Sequence, residues 1–220
     1  MSKLVLSLFD LTGHMVEPWA EAGYDVLSVD IQRDGTDILR WLPPRREYQI
    51  VFAFPPCTDV AVSGARWFKD KGLAGLGKAI ELLERARDIC EWAGAPWMIE
   101  NPVSTFSSYW RPPDHIFHPH HFAGFEPTDN YTKKTCLWTG NGFLMPEAFP
   151  LIDASAPDDR IHKAAPGPAR ANFRSATPMG FARAVFLANC GKPERQTRTQ
   201  LSQGTQQKPP ADSAKKTLFD

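Results

Sequence analysis

Four short apolar runs, each stopping at a residue able to do chemistry, constrain this chain most. Residues 3–9 (KLVLSLF) stop at Asp10, and residues 24–30 (YDVLSVD) end in Asp30. Residues 49–54 (QIVFAF) stop at Pro55-Pro56-Cys57, and residues 97–100 (WMIE) end in Glu100 and pass to Asn101. Such runs are too short for helices of this apolarity and read as buried strands. Between them lie helical patterns, one over about Glu17 to Ala22 and a clearer one over residues 76–94. In the longer helix Ile80, Leu83, Ala86, Arg87 and Cys90 share a face, and Gly94 is the expected stop. Strand–helix alternation predicts an α/β fold with a doubly wound, mostly parallel sheet. In such sheets the working residues lie just past the carboxyl ends of the strands. Asp10, Asp30, Cys57 and Glu100 are therefore expected along one edge.

Residues 103–175 are irregular and rich in Pro, His, Phe and Trp, with one expected strand at Thr135–Thr139. Pro178 to Asn189 reads as a last helix, with Pro178 suited to its first turn. Residues 1–190 are expected to form one domain, and 191–220 a disordered polar tail. The balance of 25 basic against 25 acidic residues leaves no global field to gather phosphates, so any basic surface must be local. No apolar run approaches the ~18 residues of a membrane span. No secretory leader is evident, and a cytoplasmic location is expected. The four cysteines have no C-x-x-C spacing and are expected as reduced thiols.

Three features point to chemistry. Gly13, in the turn after the first strand, lets the backbone approach a ligand closely. Asp30 can accept hydrogen bonds from both hydroxyls of a ribose. The turn lacks the G-x-G-x-x-G pattern of a pyrophosphate cradle, so a nucleoside without phosphates, such as S-adenosylmethionine, fits better. Next, Pro55 and Pro56 make a rigid turn without amide donors and hold Cys57 in a fixed direction. A thiol there can attack an electron-poor ring carbon; packing as a small apolar side chain is the plainer alternative. Finally, Glu100 can hydrogen-bond or protonate a pyrimidine ring nitrogen, with Asn101 to orient it.

As an ordered set, Phe9-Asp10-x-x-Gly13, Asp30, Asp37-Ile38, Pro55-Pro56-Cys57 and Glu100-Asn101-Pro102 resemble the motifs of the DNA cytosine-5 methyltransferases, over roughly residues 4–110. Thr177–Asn189 is similar to the closing motif of that family. The resemblance is to short, phage-type members and implies a Rossmann-like, S-adenosylmethionine-dependent methyltransferase fold. It implies that Phe9 stacks near the adenine, and that Asp10 and Gly13 line the methionine side. It places Asp30 on the ribose with Ile31 beside it, and Asp37 and Ile38 on the adenine edge. Cys57, behind Pro56, would add to carbon 6 of cytosine, Glu100 would engage ring nitrogen 3, and Asn101 would orient it. DNA is the implied partner. A free cytidine nucleotide such as dCMP and a catalytically silent nucleic-acid-binding module are the alternatives.

The chain departs from the family in three places. No Gln-x-Arg-x-Arg motif is present; the nearest basic segment is Tyr131 to Trp138, where Lys134 is the expected substitute for the missing arginine. Thr58 follows Cys57 where Gln is common. Only residues 139–178 separate the basic segment from the closing helix, which leaves little room for a target-recognition domain. His115, His118, His120 and His121 read as an ordered loop rather than a metal site. Arg160, Lys163, Arg170 and Arg174 form a basic run that suits either phosphate or solvent. Trp67, Trp110 and Trp138 read as packing residues. Lys216 to Asp220 faintly resembles a sliding-clamp-binding peptide.

Overall fold

A computed structural model describes residues 3–152, 155–163 and 170–191. The expected tail therefore lies outside the described residues, apart from Gly191, and so does its clamp-like end. Six strands form one sheet: β1 (Leu4–Leu8), β2 (Asp25–Val29), β3 (Tyr48–Ala53), β4 (Trp97–Pro102), β5 (His115–Phe117) and β6 (Thr135–Gly140). Their order is β2-β1-β3-β4-β6-β5. The β2–β1, β1–β3 and β3–β4 pairs are parallel. β6 runs antiparallel to both β4 and β5. The α/β architecture and mostly parallel sheet agree with the sequence reading.

The sheet is buried on both faces, which explains why its strands read as continuous apolar runs. Side chains alternate between two cores as the strand period requires. Leu4, Leu6 and Leu8 of β1, Val51 and Ala53 of β3, and Trp97 and Ile99 of β4 enter the first core. Val5, Ile50, Phe52 and Met98 enter the second. On the first face lies α2 (Phe68–Ala93), whose Ala79, Leu83, Ala86, Ile89 and Cys90 are buried. This helix starts earlier than residue 76 and is broken at Gly72, where φ is 63° and ψ is −167°. Only a glycine adopts that conformation cheaply, so the break divides an exposed first turn from the packed run.

The second face carries α1 (Glu17–Glu21) and the last helix. The stretch expected to be irregular also holds three short helices, α3 (Phe106–Tyr109), α4 (Arg160–Lys163) and α5 (Arg170–Ser175). It further holds β5, whose three residues are too few to show a period. The last helix, α6 (Met179–Asn189), buries Gly180, Phe181, Ala182, Ala184 and Val185. Phe181 stacks on Phe117 with ring centroids 4.1 Å apart. The first turn of α6 is fixed by Asp129, whose Oδ2 accepts the Gly180 amide at 2.7 Å.

Gly180 sits where a Cβ would run into the carbonyl oxygen of Phe122. Backbone cannot yield as a flexible side chain can. Gly180→Ala is expected to destabilise the fold by about 1–3 kcal/mol, read as a lowered midpoint in urea unfolding. An unchanged midpoint would show that α6 does not pack this closely.

Candidate functional site

The tips of β1, β2, β3 and β4 point the same way, because these strands are parallel. β1 ends in a tight turn. Phe9 has φ of +58°, a left-handed conformation rare outside glycine. It turns the buried Asp10 carboxyl back onto its own loop. One oxygen accepts the Ser7 hydroxyl at 2.7 Å, and the other accepts the Gly13 amide at 2.7 Å. Asp10 thus holds the turn, with both oxygens engaged. Gly13 is also left-handed, at φ +73°, and the Arg33 guanidinium lies beside it.

At the β2 tip, Asp30 is buried and accepts the Gln32 amide at 2.7 Å through Oδ1. Its Oδ2 accepts no hydrogen bond from a described residue. That oxygen suits a ligand hydroxyl, and the neighbouring Ile31 is 64% exposed. The next pair differs. Asp37 caps its own turn by accepting the Leu39 amide at 3.1 Å. Ile38 is buried in the first core, and its carbonyl accepts Arg85 Nε at 3.1 Å. Phe9 packs against the same core. The Gly13 turn, Asp30 and Ile31 thus stay open to a ligand, while the Ile38 side chain and carbonyl are committed elsewhere.

The β3 and β4 tips are tied together. Asn101, 1% exposed, donates from Nδ2 to the Pro55 carbonyl at 2.8 Å. Beyond Cys57, the Val62 amide bonds the Val103 carbonyl and the Thr105 amide bonds the Val60 carbonyl. Ala61 and Ser104 form an antiparallel bridge. Cys57 therefore leaves β3 on a segment pinned at both ends to the chain that follows Glu100.

Burial pushes the Cys57 thiol up from its ordinary value, and the Glu100 charge pushes it further; Lys133 and Arg174 pull it down. Burial likewise pushes the Glu100 carboxyl up, against the nearby Lys133 ammonium. Lys133 Nζ lies 3.6 Å from Glu100 Oε1, and both side chains are nearly enclosed. The thiol, the carboxyl and a lysine thus share one site. Tyr131 lines its margin, its hydroxyl also raised by burial and by charges that include Glu100.

Of the two adjacent lysines, Lys133 is the one placed beside Glu100. Lys134 is exposed, whereas Lys133 is buried against Glu100. Tyr131, Lys133 and Thr135 are buried in alternation, so residues of odd number face inward here. That parity was available in the sequence. The histidines form a stacked loop, with His118 and His120 centroids 5.4 Å apart. No group of three metal-binding side chains occurs among the described residues. Trp138 is buried and Trp110 stacks on it at 5.9 Å, while Trp67 stays half exposed. None of the helices with described residues is long and apolar enough to cross a membrane.

No protein-family model matches the chain, and no curated protein matches it at a significant level. The fold and site define an α/β protein with a partly buried thiol, carboxyl and ammonium at the carboxyl edge of a mostly parallel sheet.

A carboxyl with a raised pKa binds its proton more tightly in the folded chain than in the unfolded one. The resulting stability is complete below the ordinary glutamate pKa and is lost as pH rises through the raised value. Wild-type stability, measured by urea melts at a series of pH values, should fall across that window relative to Glu100→Gln. Parallel curves would rule out a perturbed Glu100.

Proposed function

We propose that this chain is a Rossmann-like, S-adenosylmethionine-dependent methyltransferase that modifies carbon 5 of cytosine in DNA. The convergence of Cys57, Glu100 and Lys133 in one partly buried site carries this reading. Carbon 5 of cytosine is a weak nucleophile until a group adds at carbon 6, and a positioned thiol is suited to that addition. The Cys57 sulfur bonds carbon 6 while ring nitrogen 3 takes a proton from Glu100. The raised carboxyl pKa favours Glu100 holding that proton until nitrogen 3 takes it.

Cys57 must lose its own proton first. Moving that proton to Glu100 leaves the charge of the pair unchanged and removes the carboxylate that opposes a thiolate. Lys133 and Arg174 favour the thiolate as well. S-adenosylmethionine, when bound, supplies a methyl group made electrophilic by its sulfonium. After transfer, carbon 5 gives up its hydrogen as a proton to water. The carbon–sulfur bond then breaks with its electrons returning to Cys57, and nitrogen 3 returns its proton to Glu100. Lys133 supplies the positive charge that the family resemblance expects from an arginine. In duplex DNA the base must leave the stack to reach so enclosed a thiol.

Labelled methyl transfer into duplex DNA, single-stranded DNA and dCMP tests the reading. Label on cytosine carbon 5 in DNA supports it, and label on dCMP alone makes the chain a nucleotide enzyme. No label, with DNA retained in a shift assay, leaves a binding module. Cys57→Ser is expected to abolish transfer while retaining cofactor binding, and wild-type turnover in that variant would overturn the mechanism. Glu100→Gln should slow transfer by at least ~100-fold in single-turnover assays.

A further inference from the structure

Of the basic run around α4 and α5, the Arg170 side chain lies outside the described residues, and the other three charges are not equivalent. Arg160 pairs with Asp158 at 2.5 Å, and Lys163 pairs with Asp159 at 2.8 Å. Both charges are met within their own turn. Arg174 differs. It is partly buried, makes neither a hydrogen bond nor an ion pair with a described residue, and acts with its charge on Cys57.

The backbone that follows Arg174 is held from two sides. Lys133 Nζ, the same group that pairs with Glu100, donates to the Ala176 carbonyl at 3.4 Å. The His14 ring donates from Nδ1 to the Thr177 carbonyl at 3.1 Å, joining this segment to the turn after β1. Ala176 and Thr177 thus bridge the Cys57 cluster and the Asp10–Gly13 turn, two residues beyond Arg174. Glu100 already has Lys133 as its cation, so the Arg174 charge is surplus to the cluster. A partly desolvated guanidinium without an anion is costly, and the cost is recovered when an anion arrives.

We infer that Arg174 binds the phosphate attached to the nucleoside whose base reaches Cys57. This rests on the function proposed above. The base itself is neutral and cannot satisfy a second cation, whereas its phosphate can. The planar guanidinium fork matches two phosphate oxygens, which a lysine at this position would not. Such a contact fixes the position of the nucleotide and carries no sequence information. It serves a polynucleotide and a free nucleotide alike.

The test uses the full-length chain with Arg174→Gln and Arg174→Lys. One arm measures binding of a fluorescent 30-base-pair duplex of mixed sequence over a series of salt concentrations. Arg174→Gln should weaken binding about tenfold or more and lower the log–log salt slope by about one. Arg174→Lys should restore most of the slope and only part of the affinity. The other arm compares dCMP with deoxycytidine as competitors. Wild type should prefer dCMP, and Arg174→Gln should lose that preference. In transfer assays KM should rise more than kcat falls, with cofactor affinity retained as the control for folding. A Gln variant that keeps the wild-type salt slope and the dCMP preference overturns the inference. Absence of methyl transfer by wild type, with the slope change present, would sink the methyltransferase reading and leave the phosphate contact standing.

Discussion

The site depends on one buried hydrogen bond, from the Asn101 amide to the Pro55 carbonyl. Pro55 and Pro56 have no N–H to give, so the first two residues of the turn after β3 contribute no backbone donor, and the turn closes on itself only beyond Cys57. The brace has to come from the neighbouring strand. Asn101 supplies it from the residue directly after Glu100. The contact that fixes the thiol's loop is therefore one covalent step from the carboxyl that works beside it. Positional error between the two groups is small for that reason, as the proposed chemistry requires.

Electrostatics at the site follow from enclosure. Burial alone would leave both Cys57 and Glu100 protonated, and each anion would oppose the other. Lys133 offsets part of that penalty for either anion. A thiolate with a neutral carboxyl carries the same net charge as a thiol with a carboxylate. Proton transfer between such states requires no net charge to enter or leave the interior, which would be expensive in a medium of low polarity.

Much of this was legible in the sequence. Strand tips ending in Asp, Asp, Cys and Glu followed from short apolar runs, and parallel topology from the helices between them. The inward and outward split of Leu4, Val5 and Leu6 followed from strand period. What escaped the sequence depended on contacts between distant residues. β5 has three residues and no period of its own; it exists because β6 offers an edge. The bracing role of Asp10 depends on Phe9 turning its carboxyl inward to Ser7 and Gly13. The packing of Ile38 depends on the first core closing over it. Lys134 was preferred to Lys133 by motif position, although the alternation Tyr131, Lys133, Thr135 marked the inward residue. Arg174 belonged to a run of bases, and only the acids beside Arg160 and Lys163 set it apart.

The second core joins the two ends of the folded body: Val5, Met15 and Trp19 from early in the chain meet Phe181, Ala184 and Val185 of α6. Polar ties repeat the pattern, with Tyr24 donating to the Cys190 carbonyl at 2.5 Å and Gln49 to that of Asn189 at 3.2 Å. On the ribosome, which feeds out the early strands first, this core cannot close until α6 has cleared the exit tunnel. Until then part of the apolar side of β1 and β3 lacks its final cover and is open to chaperones or to other nascent chains.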